Sequence, residues 1–233
     1  FYIDATCNHI PYTYTPQHIQ GSEAMIENGD KPLLQIVPQQ KADASIDSLA
    51  YQYHLQGDAL AGKATYQLRG DMKEWFMSII DDAGNKNSDD ILANNLNADT
   101  HNMTVSDVKW TDQDARHEWA RFTGNVVNKP AVQQMDGEIY IELNPHNNLF
   151  DNRIDTTGRS NDYYFPVRCN IVRQASLLIP TGYKVDYLPP SAKFSTPEGI
   201  LTCHFSRKGN TILFHQKMQI NHRRIPLANI PKW

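Results

Sequence analysis

The sequence predicts a mainly β fold, a β-sandwich carrying one small helical insertion. Two observations lead there. Short runs of alternating apolar and polar residues recur along most of the chain, separated by Gly, Pro, Asn and Asp. The period changes to a helical one in a single stretch, at about residues 71–96. Many short strands with one α decoration fit a sandwich better than a parallel α/β fold.

Residues 1–40 are the irregular part. Pro11, Pro16, Pro32 and Pro38 punctuate them, and only Leu33 to Val37 reads as an extended segment. From about Ser45 the pattern sharpens. Leu49, Tyr51, Tyr53 and Leu55 alternate with polar or small neighbours, Gln56-Gly57-Asp58 supplies turn chemistry, and Ala64, Tyr66 and Leu68 continue on one face. These segments make a hairpin. Met72, Trp75, Phe76, Ile79 and Ile80 then recur at helical spacing behind Asp71, a suitable N-cap, and Gly84-Asn85 closes the helix. Ser88 caps a second short helix with Ile91, Leu92 and Leu96 as its apolar face. Strand patterns resume at Met103 to Trp110, Glu118 to Val127 and Glu138 to Leu143. After a polar loop at 144–163 they continue at Val167 to Ile179 and Tyr183 to Leu188. A last hairpin turns at Lys208-Gly209-Asn210, with Leu201, Phe205, Ile212 and Phe214 as its buried side chains.

Bulk properties narrow the function classes. Hydrophobic residues at 40% and charged residues at 21% are ordinary for a globular chain and argue against disorder throughout. A formal charge of −4, with basic residues scattered and His222-Arg223-Arg224 the densest cluster, gives no footprint for nucleic acid. No apolar run approaches the ~20 residues of a membrane helix. The opening Phe1-Tyr2-Ile3-Asp4 reads as mid-protein, with Phe1 to Ile3 as the second half of a strand.

Ligand and cofactor signals are absent. The cysteines Cys7, Cys169 and Cys203 are odd in number and widely spaced, with no CxxC. Cys203 alternates with Leu201 and Phe205 as a core-facing residue, and spacing leaves a Cys169–Cys203 disulfide open. Nine histidines include no pair at metal-ligand spacing on a shared face, and His54, His204 and His215 sit at outward strand positions. Asp81-Asp82 and Asp89-Asp90 read as helix-end charges, since no calcium loop surrounds them. No phosphate loop, nucleophile elbow, HExxH or dinucleotide fingerprint occurs, so neither a cofactor nor a metal is expected.

One short motif carries chemistry. Tyr2-Ile3-Asp4-Ala5-Thr6 sets a carboxylate at the end of an apolar strand, followed by Ile10-Pro11-Tyr12 and by Pro16, His18, Ile19, Gln20 and Gly21. This resembles the last stretch of a transglutaminase-like core, of the papain-like cysteine superfamily. There a Cys nucleophile and a His precede an Asp, commonly within Asp-Ala-Thr. The acid holds the imidazole in the tautomer that deprotonates the thiol. A second resemblance lies downstream, in Arg159, Tyr164-Phe165-Pro166-Val167 and Ile179-Pro180-Thr181-Gly182-Tyr183-Lys184-Val185-Asp186-Tyr187-Leu188-Pro189. It is similar to a β-rich domain of unknown function that follows such cores in bacterial proteins.

The resemblance implies that residues 1–40 are the tail of a transglutaminase-like core and that 41–233 are an accessory β-sandwich. Asp4 would be the triad-orienting acid. The Cys and His would precede Phe1, so this chain alone should be inactive. Its partners would be the upstream catalytic core and a protein or peptide substrate, in an extracytoplasmic setting. The competing reading is a secreted β-sandwich that binds glycan or protein. It would use the loop from Asn144 to Asp162 and a row of exposed aromatics drawn from Trp110, Trp119, Tyr163 and Tyr164.

Overall fold

The computed structural model describes residues 2, 4–84, 88–97, 103–114, 116–144, 154 and 158–232. The expected strand end at Phe1 to Ile3 and most of the 144–162 loop lie outside these residues. β1 (Glu23–Ile26) and β2 (Leu33–Ile36) form a separate antiparallel ribbon. β3 (Ile46–Gln56) and β4 (Ala59–Arg69) make the expected hairpin. Two helices follow, α1 (Asp71–Ala83) and α2 (Ser88–Leu96). Next come β5 (Met103–Asp112), β6 (Trp119–Asn128), β7 (Val132–Met135), β8 (Glu138–Ile141) and β9 (Tyr163–Tyr164). The chain ends with β10 (Asn170–Leu178), β11 (Ala192–Ser195), β12 (Gly199–Lys208), β13 (Thr211–Ile220) and β14 (Arg224–Ile225).

The mainly β architecture with a helical insertion is therefore as expected. Eight strands share one large sheet in the order β11-β12-β13-β10-β3-β4-β6-β5; β1–β2, β7–β8 and β9–β14 are two-stranded ribbons. The sheet divides into two four-stranded halves, each from one stretch of sequence. Every neighbouring pair within a half is antiparallel, and the halves meet at the parallel pair of β10 with β3. A parallel pair cannot be closed by a tight turn, so its register depends on what the two strands carry. Here that is a buried ion pair: Arg173 on β10 donates to both carboxylate oxygens of Asp47 on β3, at 2.6 and 3.3 Å.

The core lies on one face of the sheet. Leu49, Tyr51 and Tyr53 of β3, Ala64, Tyr66 and Leu68 of β4, and Phe122 and Val126 of β6 cluster with Phe76 and Met77 of α1 and Leu92 and Leu96 of α2. Phe76 stacks on Phe122 at 5.4 Å and on Tyr66 at 6.3 Å, with Trp110 edge-on to both phenylalanines. The other face carries Gln52, His54, Lys63 and Gln174 into solvent.

Several local expectations need correction. Trp75 and Ile79 are exposed, and Lys73 is fully buried. The ammonium of Lys73 donates to the backbone oxygens of Asp114 and His117, so the inward stripe of α1 contains a cation that hydropathy would assign outward. Asp71 is the first helical residue and Gly70 the cap; the Asp71 carboxylate faces the N-terminal segment. Ser88 opens α2 itself. Tyr183 to Leu188 form no strand: Tyr183 and Tyr187 are exposed, and the next strand starts only after Pro189 and Pro190. Cys169 and Cys203 are free thiols. The β12–β13 hairpin forms across Lys208↔Thr211, with Phe214 buried against Phe205 at 4.9 Å.

Candidate functional site

The segment carrying Asp4 lies along one side of α1. Asp71, Glu74 and Asp81 are spaced so that an α-helix brings them to neighbouring positions on one side. Each carboxylate takes a different part of the segment. Glu74 accepts the backbone N–H groups of Asn8 and His9 at 3.1 and 2.8 Å, and Asp81 meets His9 Nε2 at 2.7 Å. Asp71 accepts Gln17 N–H at 2.9 Å and the Tyr14 hydroxyl. Burial raises the Asp71 carboxyl pKa, while burial and the Asp71 charge raise the Tyr14 phenol. Gly70 makes this close approach feasible. Its φ is +64°, and a Cβ there would stand 2.4 Å from the Ala44 carbonyl oxygen and 2.8 Å from the Tyr14 ring.

Within this frame the two oxygens of Asp4 have separate tasks. Oδ1 accepts both Thr6 donors, the backbone N–H at 2.8 Å and the hydroxyl at 2.6 Å. Oδ2 lies 2.6 Å from His18 Nε2. A carboxylate only accepts, so Nε2 carries the proton and Nδ1 is left as the basic nitrogen when the ring is neutral. The bonds from Thr6, followed by the one from His18, hold the Asp4 carboxyl down at about 2. Its side chain is mostly covered, while the imidazole of His18 is 55% exposed. The arrangement is an ionised carboxylate fixed by its own turn and committed to one imidazole.

No thiol completes it in this chain. Cys7 follows closely, but burial and the charges of Glu74, Asp4 and Asp71 push its thiol up to about 11. Burial likewise pushes Cys169 up to about 12 and raises Cys203. An activated nucleophile needs the opposite setting, with cations or a helix N-terminus beside it. Among the described residues no group of three His, Cys, Asp or Glu could hold a metal ion. No described helix is long and apolar enough to cross a membrane.

The proposed aromatic row does not form. Trp110 packs into the core, Trp119 has the guanidiniums of Arg69 and Arg121 within 5.6 and 5.3 Å of its ring centre, and Tyr163 meets Phe165 edge-on with Arg159 over its ring. Tyr164 alone of the four is broadly exposed.

Residues 137–233 match DUF3858, a domain of unknown function with solved structure. The match covers less than half of the chain. It begins in the β7–β8 turn and takes in all of β10 to β13, the half of the sheet beyond the parallel seam. The β-rich domain expected from the Tyr164 to Pro189 motif is thus similar to DUF3858. No curated protein and no solved structure gave a significant match. Sequence reading singled out Asp4 but gave His18 no role. The two are fourteen residues apart, and only the 17–21 turn brings them together.

Proposed function

We propose that Asp4 is the imidazole-orienting acid of a transglutaminase-like or cysteine-peptidase-like core whose Cys and His lie in an upstream segment. Residues 41–233 then serve as its accessory β domain. The observation that carries this reading is the division of labour at Asp4. One oxygen is fixed by Thr6, and the other meets the imidazole of His18 at 2.6 Å; in the proposed core the upstream His takes that oxygen in place of His18. A carboxylate that served only to cap its own turn would need no second partner.

The β1–β2 ribbon supports the same reading. Met25, Leu34 and Ile36 share one face by register and are 74%, 70% and 58% exposed. A two-stranded ribbon is marginal in water, and a contiguous apolar face suits a surface packed against further protein. In this reading a cysteine thiolate attacks a glutamine-type amide or peptide carbonyl and expels ammonia or an amine. An incoming amine or water then releases the acyl group from the thioester. The orienting carboxylate stabilises the imidazolium formed when the thiol gives up its proton. An extracytoplasmic, bacterial setting belongs to the same proposal.

The test is amine incorporation into a glutamine-containing peptide, and hydrolysis of that peptide, by this chain and by the longer gene product. Activity should be confined to the longer product. Activity in the chain alone that disappears with Cys7→Ala would overturn the reading, since Cys7 would then be the nucleophile.

A further inference from the structure

A cleft of about 450 Å³ lies at one end of the open sheet face, well inside the size range of small-ligand sites. Asn170 of β10 and Lys217 and Gln219 of β13 line it; Asn170 and Gln219 are direct register partners. The segment Gln39 to Asp43 forms another wall, and Arg168 and Asn221 also line the cleft.

The lining is unusual in three ways. It is almost without apolar side chains, with Ala42 the exception. It holds three cations, Lys41, Arg168 and Lys217, against one carboxylate, Asp43, and none of the three cations forms an ion pair among the described residues. Arg168 is positioned entirely by neutral amides. Its Nη2, Nη1 and Nε donate to Gln20, Gln39 and Gln17 at 2.6, 2.9 and 3.5 Å. A guanidinium has five N–H groups, so this fork is held rigidly while, among the described residues, its charge remains unpaired and two donors take no partner. Thirdly, two lining amides have buried oxygens without a hydrogen-bond partner, Asn170 Oδ1 and Gln40 Oε1. Asn170 is only 5% exposed. An acceptor left unpaired in this way is destabilising, and a small turn of its amide toward the cleft would let a bound donor satisfy it.

We propose that this cleft binds a polyhydroxylated carboxylate, the chemistry of a uronic acid, either free or at the end of a glycan. The three cations select the anion. The paired donors and acceptors of the Asn and Gln amides fit vicinal hydroxyls, and the buried oxygens of Asn170 and Gln40 accept from them once these amides turn toward the ligand. A bare anion would leave most of the space empty, and an apolar body has nothing to pack on. The site uses neither Asp4 nor His18, so it stands or falls independently of the catalytic reading.

The experiment is a titration of the whole chain, followed by heteronuclear NMR, with sodium glucuronate, glucose, acetate, inorganic phosphate and a tri-uronate. Glucuronate should shift the side-chain amide signals of Asn170, Gln40 and Gln219 and bind at least tenfold tighter than glucose or acetate. Tighter binding of the tri-uronate would identify a glycan end as the source; equal binding would identify the free sugar acid. Lys217→Gln should weaken glucuronate about tenfold while leaving the spectrum otherwise native. This variant guards against Arg168→Ala, whose loss would release Gln17, Gln20 and Gln39 together. Equal binding of acetate or phosphate, equal binding of glucose, or no shift at those amides would each overturn the proposal.

Discussion

Replacing Arg173 with Ala should be among the most damaging single changes in the chain. Arg173 is buried at the parallel seam, its side chain 7% exposed and that of Asp47 10%. The guanidinium bonds both carboxylate oxygens of Asp47, the Asp47 backbone oxygen at 3.3 Å and the Val172 oxygen at 3.0 Å, with its carbon 5.9 Å from the Tyr66 ring centre. Truncation would leave the Asp47 carboxyl inside the sheet without its counter-ion. Breaking such a pair from one side typically costs about 3–5 kcal/mol. The pair as a whole is a different matter, because an apolar replacement of both partners is often neutral. Urea unfolding of Arg173→Ala should therefore show a large loss, and the double change Arg173→Met with Asp47→Leu should recover most of it. The register of β10 on β3 would then rest on the backbone ladder and on Leu49, Tyr51, Ala175 and Leu177 alone. A loss below about 1 kcal/mol for Arg173→Ala, the level of an exposed pair, would refute the seam argument. A double variant no better than the single one would also refute it.

Phe76→Ala should cost about 3–5 kcal/mol in the same assay, because it empties the centre of the Tyr66, Phe122 and Trp110 cluster; a loss under about 1 kcal/mol would mean the helix is not packed there. The Asp4 carboxyl should titrate near 2 by NMR, and Thr6→Ala should move it back toward 3.8. The sign follows from a lowered folded-state pKa: the stabilisation is present above 3.8 and is lost as pH falls toward 2. A midpoint unmoved by Thr6→Ala would contradict the assignment of Thr6 as the main cause. Alkylation of Cys7 by iodoacetamide should rise with pH toward a midpoint near 11. A midpoint at or below that of free cysteine would mean that the surrounding carboxylates do not suppress the thiolate.

Much of the fold could be read along the chain because its cues are local. The β3–β4 and β12–β13 hairpins follow from period-two runs around Gly57 and Gly209, and the helices from the single change of period. Features set by distant partners were not legible. Nothing local to Lys73 says that the oxygens of Asp114 and His117 will receive its ammonium, so hydropathy alone places Trp75 and Ile79 inward on α1 instead. Asp71 has the composition of a cap, yet Tyr14 and Gln17 claim its carboxylate. The parallel seam joins β3 to a strand more than a hundred residues later, and no period encodes that. At the candidate site Asp4 was legible as a motif, while His18 required the turn to be folded. The cleft was invisible in sequence because its lining comes from three separated stretches, 39–43, 168–170 and 217–221.

The central claim concerns Asp4, and the direct measurement is kcat/KM for amine incorporation by the protein that includes the proposed upstream core, with and without Asp4→Ala. Loss of the orienting acid in a triad can cost about 10⁴-fold in kcat, so a fall on the order of 10²–10⁴ is expected. KM should be little changed, and circular dichroism should match the parent. Asp4→Asn, which keeps the shape but removes the charge and favours the wrong tautomer, should fall nearly as far. An unchanged kcat/KM in a folded Asp4→Ala protein would contradict the account and leave Asp4 as a turn-capping carboxylate.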